Sequence, residues 1–359
     1  MKTTVGFLFI LILIISGFMV WRFMPDAQIA QTATVAGETV SKTVTEQVVP
    51  KHPMSVEAMR EVLYPGSQFS EIQKLPPGSN YTRKLVSYQS DGLKIQGLLT
   101  IPTGQMPEGG WPAIVFNHGY IPPEVYRPTE RYIAYVDMLA RSGFVIFRPD
   151  YRGHADSEGT PEGAYFAPGY TVDVLNAFSS LQQMKEVNPK RIGLWGHSLG
   201  GFITQKAIVI EPEIKASVVW GGVVGTYADM YEYWWGRRDN PSAQSGLTNW
   251  TPSQREQSAR RSSRQQFVEQ YGQPKDGSDF WKEISAPTYF SAVTGPVQIH
   301  HGLSDETVPF ELSQQMNKYL KEAGKSSELF EYKGGDHDIS DPNFTVAMNR
   351  TIEFFKKNL

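Results

Sequence analysis

The chain has 359 residues, of which 40% are hydrophobic, so it is long enough to bury a full core in one large domain. Its formal net charge is -3, which gives no overall basic field that would favour nucleic acid as a partner. It contains no cysteine, and this excludes disulfides, thiolate metal sites and a cysteine nucleophile.

The N-terminus begins with an almost unbroken apolar run over residues 5–21, between Lys2 and Arg22. Its length falls at the short end of what crosses a bilayer. We therefore predict residues 1–24 as a transmembrane helix that anchors the protein and leaves the rest of the chain outside the cytoplasmic membrane. The small-x-small pattern Ala27-Gln-Ile-Ala30 favours the alternative, a signal segment that is cleaved to release the protein.

The next stretch, residues 25–78, has the composition of a linker. Residues 25–53 are rich in Thr, Val, Ala and Gln and contain no Phe, Tyr or Trp. This composition predicts a flexible juxtamembrane segment. Within it, Ser55 as an N-cap and Pro65-Gly66 as a stop signal predict one short helix over residues 55–63.

From residue 79 to residue 359 the pattern changes to alternating strands and helices. The short apolar strands show no inside–outside alternation, which is typical of a sheet covered by helices on both faces. We predict an α/β fold with a mostly parallel, twisted sheet, entered through an antiparallel hairpin. The predicted strands are 81–88, 93–101, 113–117, 144–148, 191–195, 215–220, 296–300 and 327–332, and the predicted helices are 129–141, 171–186, 310–323 and 344–357.

Residues 225–294 interrupt this rhythm, because they separate two strands by far more than a crossover needs. We interpret the segment as a helical lid. Its aromatic residues Tyr231, Trp234 and Trp235, together with Tyr120, are candidates for the wall of a substrate pocket. The alternative is that these rings only pack the lid onto the body.

The clearest chemical motif is Gly196-His-Ser198-Leu-Gly200, which lies between a strand-like run and a helix-like run. This is the pattern of a nucleophile elbow, typical of the α/β-hydrolase fold. Asp305 follows the strand 296–300, and His337 lies in a Gly-rich loop after the last strand. This chain order predicts Ser198 as nucleophile, His337 as general base and then acid, and Asp305 as its orienting carboxylate. Glu306 is the alternative carboxylate.

The segment after the third strand supplies a second oxyanion donor. It reads Asn117-His-Gly-Tyr120, and the backbone N–H of Tyr120 would pair with the backbone N–H of Leu199. The neighbouring His300 and His301 do not predict a metal site, because adjacent residues of a strand point to opposite faces. We therefore expect no metal and no cofactor.

Several longer stretches carry a family resemblance that covers roughly residues 80–359. They resemble the catalytic domain of the prolyl oligopeptidase family, including its dipeptidyl and acylaminoacyl peptidase branches, without the β-propeller of those enzymes. The resemblance implies a serine peptidase that acts on small peptides through an acyl-enzyme. The matching stretches are 90–97 (SDGLKIQG), His118-Gly119, 148–159 (RPDYRGHADSEG), 195–201 (WGHSLGG), 301–309 (HGLSDETVP) and 335–337 (GDH).

Two other functions are compatible with the same residues. The core also resembles small acyl esterases and dienelactone-hydrolase-like enzymes, so a carboxylester hydrolase is an alternative. A non-catalytic, membrane-tethered binding module is a third hypothesis, although such a module has no need for a complete Ser198, Asp305 and His337 set. We expect a small peptide or ester substrate, a membrane partner through the N-terminal helix and no nucleic acid, and we predict no oligomeric state.

Overall fold

The computed structural model describes residues 29–35, 38–44, 50–235 and 254–359. The chain divides into two compact units, Met1–Pro50 and Lys51–Leu359. The predicted membrane segment, residues 1–24, lies outside the described residues, and so do the first two residues of the predicted cleavage pattern Ala27-Gln-Ile-Ala30. Among the described residues, no helix combines the length and the apolar character that crossing a bilayer requires.

The first unit contains a two-stranded antiparallel ribbon. Strand β1 (Ile29–Val35) pairs with strand β2 (Glu38–Val44). This differs from the irregular linker that the sequence predicts. The physical reason is composition, because Thr and Val recur in both strands and their β-branched side chains favour extended backbone.

A nine-stranded sheet forms the centre of the second unit. Its strands are β3 (Ser70–Leu75), β4 (Tyr81–Ser90), β5 (Leu93–Pro102), β6 (Trp111–Asn117), β7 (Val145–Pro149), β8 (Val187–His197), β9 (Ser217–Trp220), β10 (Val297–Gly302) and β11 (Ser327–Tyr332). The order across the sheet is β11-β10-β9-β8-β6-β7-β5-β4-β3. Six strands that are neighbours in this order, β11, β10, β9, β8, β6 and β7, run parallel. Strands β5, β4 and β3 add antiparallel pairs at one edge. The predicted mostly parallel sheet with an antiparallel hairpin is confirmed.

Helices cover both faces of this sheet, as predicted. The described α-helices of six residues or more are α1 (Val56–Glu61), α2 (Ile133–Arg141), α3 (Gly169–Gln182), α4 (Leu199–Ile210), α5 (Gln254–Tyr271), α6 (Asp279–Ile284), α7 (Phe310–Glu322) and α8 (Phe344–Asn358). Apolar side chains of α1, α3, α4 and α7 pack on one face, and those of α2 and α8 pack on the other.

The central strands are buried on both sides. Ile114 and Val115 are neighbours in β6 and are both 0% exposed, yet they belong to different apolar clusters. This explains why the strands read as continuous apolar runs rather than as alternating ones. Helix α4 is buried along its whole length as well, so the helix that supports the elbow is surrounded by protein.

The second unit begins earlier than the predicted domain boundary at residue 79. Helix α1 starts as predicted, with the Ser55 hydroxyl accepting from the Ala58 amide at 3.1 Å, and its Val56 is buried. Strand β3 extends the main sheet by pairing with β4. The Arg60 guanidinium donates to the carbonyl of Val209 at 2.8 and 2.6 Å, so α1 binds the C-terminal end of α4. Burial of apolar surface therefore joins residues 51–78 to the body.

Lys206 is a buried cation on α4 that also joins these parts. Its side-chain nitrogen donates to the carbonyls of Met54 at 2.8 Å and of Ile284 at 2.6 Å. Burial lowers the pKa of Lys206 from 10.5 to about 7. A neutral amine has two N–H groups, which matches the two carbonyl acceptors.

We expect this lysine to give the protein a pH-dependent stability. Between about pH 7 and about pH 10 the unfolded chain binds more protons at Lys206 than the folded chain, so the free energy of unfolding rises with pH in that window. Urea denaturation across the window should show this rise in the wild-type protein and not in Lys206→Met. The matched control is Lys185→Met, at a side chain that is 89% exposed, which should follow the wild type. An equal rise in Lys206→Met would contradict the prediction.

Most described residues of the predicted lid, residues 225–294, are helical. It opens with a capping box in which the Thr226 hydroxyl accepts from the Asp229 amide, and it continues as a π-helix over Met230–Trp235. Helices α5 and α6 follow, with short 3₁₀ turns at Pro274–Asp276 and Ala286–Ala292. The predicted helical character of the insertion is thus found in its described residues.

Candidate active site

Ser198 lies at the sharp turn between β8 and α4. Its backbone angles, φ 55° and ψ -118°, fall in a region that residues with side chains seldom adopt. Two hydrogen bonds hold the turn: the Ser198 amide donates to the Trp220 carbonyl at 3.0 Å, and the Ser198 carbonyl accepts from the Val223 amide at 3.0 Å. A strained serine held on both sides is what the predicted elbow requires.

The glycines two residues before and after Ser198 are required by close contacts. A Cβ atom at Gly196 would overlap the Thr204 hydroxyl, and one at Gly200 would overlap the carbonyl of Asn117. Helix α4 can therefore start directly against the end of β6. The Gly-x-Ser-x-Gly spacing thus reflects packing as well as backbone freedom.

The two residues predicted as oxyanion donors both lie beside the serine. Leu199 is the first residue of α4, and Tyr120 follows Gly119, where a Cβ atom would be 3.2 Å from the Ser198 Cβ. The Gly119 amide already donates to the Tyr132 hydroxyl at 2.9 Å. The Gly119 amide is therefore already used, and the backbone N–H of Tyr120 stays the predicted donor.

Asp305 and His337 form a hydrogen-bonded pair. His337 Nδ1 is 2.8 Å from Asp305 Oδ2, and His301 Nε2 is 3.2 Å from the same oxygen. The other oxygen, Oδ1, accepts from the amides of Thr307 at 2.8 Å and Val308 at 2.9 Å. Both carboxylate oxygens are therefore occupied, which fixes the plane of the group.

The environment keeps Asp305 ionised. Burial alone would raise its pKa, but hydrogen bonds from His301 and His337 outweigh burial and hold the pKa of Asp305 well below its usual range. Glu306, the alternative carboxylate, is exposed, whereas the Asp305 side chain is 1% exposed and contacts His337. The structure therefore brings Asp305, and not Glu306, to the predicted base.

Gly221, which the sequence analysis did not identify, creates the space for this pair. Its φ is +48°, and a Cβ atom there would be 3.2 Å from both Asp305 Oδ2 and His337 Nδ1. Gly221 also follows Trp220, whose carbonyl holds the Ser198 turn. The ends of β8, β10 and β11 thus gather the three predicted residues at one edge of the sheet, with Gly221 after β9 between them. The signal in the sequence was a glycine pair directly after a strand.

The adjacent histidines of β10 have different partners, as expected from their opposite faces. His300 Nδ1 is 2.8 Å from the Tyr332 hydroxyl, and burial lowers the pKa of His300 to about 3. His301 Nδ1 is 2.6 Å from the Ser313 hydroxyl, while its Nε2 lies between the Val308 carbonyl at 3.0 Å and Asp305 Oδ2 at 3.2 Å. The specific contact of His301 with the carboxylate was not predicted, because no spacing rule marks it.

The predicted pocket residues occupy different environments. The indole N–H of Trp234 donates to the Thr307 carbonyl at 2.9 Å, so this ring reaches the loop that carries Asp305. Trp235 is 7% exposed and belongs to the apolar core. Tyr120 and Tyr231 are partly buried against the same core. Trp235 therefore fits the alternative of lid packing, whereas Trp234 lies next to the site.

A strained serine at a strand-to-helix turn, on a mostly parallel sheet with an aspartate–histidine pair at the same edge, defines a serine hydrolase of the α/β-hydrolase fold. The family model for X-Pro dipeptidyl-peptidase (S15 family) matches residues 91–334. The chain belongs to this family.

Similar proteins include both peptidases and esterases. The uncharacterized peptidase YtmA of Bacillus subtilis is 28% identical over 270 residues, which cover 74% of this chain and 91% of that protein. The Pyrococcus horikoshii acylaminoacyl peptidase superposes with a TM-score of 0.59 at 21% identity and covers 78% of this chain, but the match spans only 42% of that peptidase. An acetyl xylan esterase from Paenibacillus sp. R4 has a TM-score of 0.58 at 18% identity, covering 83% of this chain and 91% of the esterase. The resemblance to acylaminoacyl and dipeptidyl peptidases is confirmed at the level of the fold.

Proposed function

We propose that this protein is a serine peptidase that cleaves small peptides through an acyl-enzyme formed on Ser198. The observation that carries the proposal is the Asp305–His337 pair, joined at 2.8 Å, at the same sheet edge as the strained Ser198. Membership of a peptidase family supports an amide substrate.

The pair defines the protonation state of the base. Since Asp305 Oδ2 accepts from His337 Nδ1, the imidazole proton lies on Nδ1 and the lone pair of Nε2 is free to act as a base. His337 Nε2 takes the proton from the Ser198 hydroxyl while the serine oxygen forms a bond to the carbonyl carbon of the substrate. The negative charge moves to the carbonyl oxygen, where the amides of Tyr120 and Leu199 stabilise it.

The same histidine completes the reaction. Collapse of the tetrahedral intermediate breaks the bond to the leaving amine, which receives the proton from His337 Nε2. A water molecule then bonds to the acyl carbon and gives a proton to His337, and the bond from the acyl carbon to the Ser198 oxygen breaks as that oxygen takes the proton back. Asp305 stays ionised throughout, because it accepts hydrogen bonds from two backbone amides and from His337, lies 3.2 Å from His301 Nε2, and has a pKa well below its usual range.

A carboxylester hydrolase is the second candidate. The match to the acetyl xylan esterase spans 91% of that enzyme, whereas the match to the acylaminoacyl peptidase spans 42% of its chain. The same three side chains would serve either reaction. The difference lies in the leaving group, since an amine must be protonated as it leaves and an activated alcohol need not be.

A comparison of matched amide and ester substrates tests the proposal. The full chain, in detergent, is given a Gly-Pro p-nitroanilide, an acetylated amino-acid p-nitroanilide and the corresponding p-nitrophenyl esters, with Ser198→Ala as the control. Amide turnover that Ser198→Ala abolishes supports a peptidase. Turnover of esters alone would assign an esterase. Failure of a fluorophosphonate to label Ser198 in the folded protein, together with no turnover, would overturn both.

We further propose that the protein is attached to a membrane with its hydrolase unit outside the cytoplasm. The apolar run over residues 5–21 supports this placement. In fractionated cells the protein should stay with the membranes after a high-salt wash, and protease added to intact cells should digest the hydrolase unit. A protein recovered in the medium would indicate the cleaved alternative, and protection from protease would contradict the orientation.

A further inference from the structure

A chain of hydrogen bonds connects the loop of Tyr120 with the loop of His337. The Tyr132 hydroxyl lies 2.9 Å from the Gly119 amide nitrogen and 2.7 Å from His197 Nδ1. The other ring nitrogen, His197 Nε2, lies 3.0 Å from the backbone carbonyl of His337. Neither Tyr132 nor His197 takes part in the proposed reaction.

The donors and acceptors along these hydrogen bonds allow only one direction of donation. The Gly119 amide can only donate, so the Tyr132 hydroxyl accepts it and turns its own proton to His197 Nδ1. The single ring proton of neutral His197 therefore lies on Nε2, where it can donate to the carbonyl of His337. Burial and the nearby His337 lower the pKa of His197 to about 4, so the ring is neutral at neutral pH.

Packing holds each member in place. His197 is 2% exposed, and its ring centre is 5.6 Å from that of Tyr132 and 4.6 Å from that of His337. Tyr132 has a left-handed backbone, with φ 59°, directly before α2. This is why α2 begins four residues later than the sequence predicts. Its ring is thereby directed at Gly119 instead of following the helix.

Hydrogen bonds hold both peptide groups that flank the Gly119 α-carbon. The Gly119 carbonyl is 2.7 Å from His118 Nδ1, and the Gly119 amide is held by Tyr132. In a trans peptide the C=O and the following N–H point in opposite directions, so the direction of the Gly119 carbonyl sets the direction of the Tyr120 N–H. Gly119 also lies against Ser198, since a Cβ atom there would be 3.2 Å from the serine Cβ.

From these contacts we propose that Tyr132 and His197 are positioning residues that keep the oxyanion loop, residues 118–120, in register with the loop that carries His337. This inference rests on the proposed function. The oxyanion donor and the general base come from loops that are far apart in the sequence, and both must meet one substrate carbonyl. A direct link through Tyr132 and His197 holds the two loops at a fixed distance.

The first test removes one hydroxyl. Tyr132→Phe should lower kcat about 10- to 100-fold, with a KM within about twofold of wild type, because a misplaced donor weakens the transition state more than substrate binding. The matched control is Tyr81→Phe, which removes a hydroxyl that donates to Asp137 Oδ1 at 2.8 Å and should leave turnover unchanged. All rates are divided by the concentration of active sites that a fluorophosphonate titrates. A smaller fraction of folded protein therefore does not lower the kcat that is compared.

A transition-state analogue separates positioning from a structural role. The affinity of a peptidyl trifluoromethyl ketone, whose adduct carries an oxyanion, should fall in Tyr132→Phe by the same factor as kcat/KM. If Tyr132→Phe had the affinity and the kcat per titrated site of the wild type, the inference would be overturned. Turnover by the wild-type enzyme would still support the proposed function. A wild-type protein with no titratable Ser198 would instead overturn the proposed function, and the inference with it.

A double-mutant cycle tests the link itself. His197→Gln can keep a donor for the His337 carbonyl, but it has no acceptor atom at the position of Nδ1, which receives the Tyr132 hydroxyl. If the two residues act as one chain, Tyr132→Phe with His197→Gln should lose about as much kcat as the larger of the two single losses. Losses that multiply would show that the residues act independently, and this result would overturn the proposed coupling.

Discussion

Asp305→Asn is expected to lower kcat by about 10⁴-fold while the protein stays folded. The amides of Thr307 and Val308 both donate to Asp305 Oδ1, so an asparagine there must present its carbonyl oxygen to them. Its NH₂ group then replaces Oδ2 and faces Nδ1 of His337. Two donors cannot share a hydrogen bond, so the imidazole proton moves to Nε2 and the base is lost.

The measurement is the rate per titrated Ser198 over a range of pH, together with the urea midpoint of the variant. Glu306→Gln is the matched control, because it makes the same chemical change at the next residue, which is exposed. It should retain wild-type kcat. Equal losses in the two variants would contradict the assignment of Asp305, and a larger loss in Glu306→Gln would assign the role to the alternative carboxylate.

Gly200→Ala is expected to have the second largest effect, a loss of about 3 kcal/mol in the free energy of unfolding. A Cβ atom at Gly200 would overlap the carbonyl of Asn117 and approach that of His118 to 2.8 Å. These are backbone atoms at the end of β6, and they cannot rotate away. Helix α4 or the oxyanion loop must move, so we also expect kcat to fall in the protein that folds.

Chemical denaturation with a fluorescence readout measures this loss. Gly324→Ala is the matched control, because Gly324 has φ +71° and nothing lies within 4 Å of its added Cβ atom. That variant should lose only about 1 kcal/mol, the cost of a left-handed alanine. If Gly200→Ala lost no more than Gly324→Ala, the proposed contact between α4 and the end of β6 would be wrong.

Much of the candidate site follows from local patterns. The glycines around Ser198 mark a turn that few other residues permit, and the apolar runs before and after it indicate a strand and a helix. Asp305 and His337 each follow a strand that has apolar residues at its centre. Because parallel strands place their C-terminal ends at one edge, the chain order alone predicted that these side chains would meet.

Other features of the site depend on contacts between distant parts of the chain. Gly221 is required because a Cβ atom at that position would lie only 3.2 Å from both Asp305 and His337. Tyr132 was predicted to lie inside a helix, yet its hydroxyl contacts with Gly119 and His197 accompany a left-handed residue before that helix. Its local sequence is compatible with a helix, so helix propensity alone could not predict that α2 starts only after Tyr132.

The domain boundary also depends on contacts between distant parts of the chain, which local patterns do not predict. Residues 51–78 have the punctuation of a linker, but Arg60 binds the end of α4, and Lys206 binds the carbonyl of Met54 from inside the body. Neither contact has a periodic signature, because each joins one side chain to a distant backbone carbonyl.

The sequence by itself determined the alternating strands and helices, the elbow at Ser198 and the order of its partners, because each depends on residues within one turn or one strand. Only the tertiary structure decided that His301 supports Asp305, that Trp234 and not Trp235 reaches the site, and how far the hydrolase unit extends. These depend on which surfaces become buried together, and burial is a property of the whole fold rather than of any short stretch.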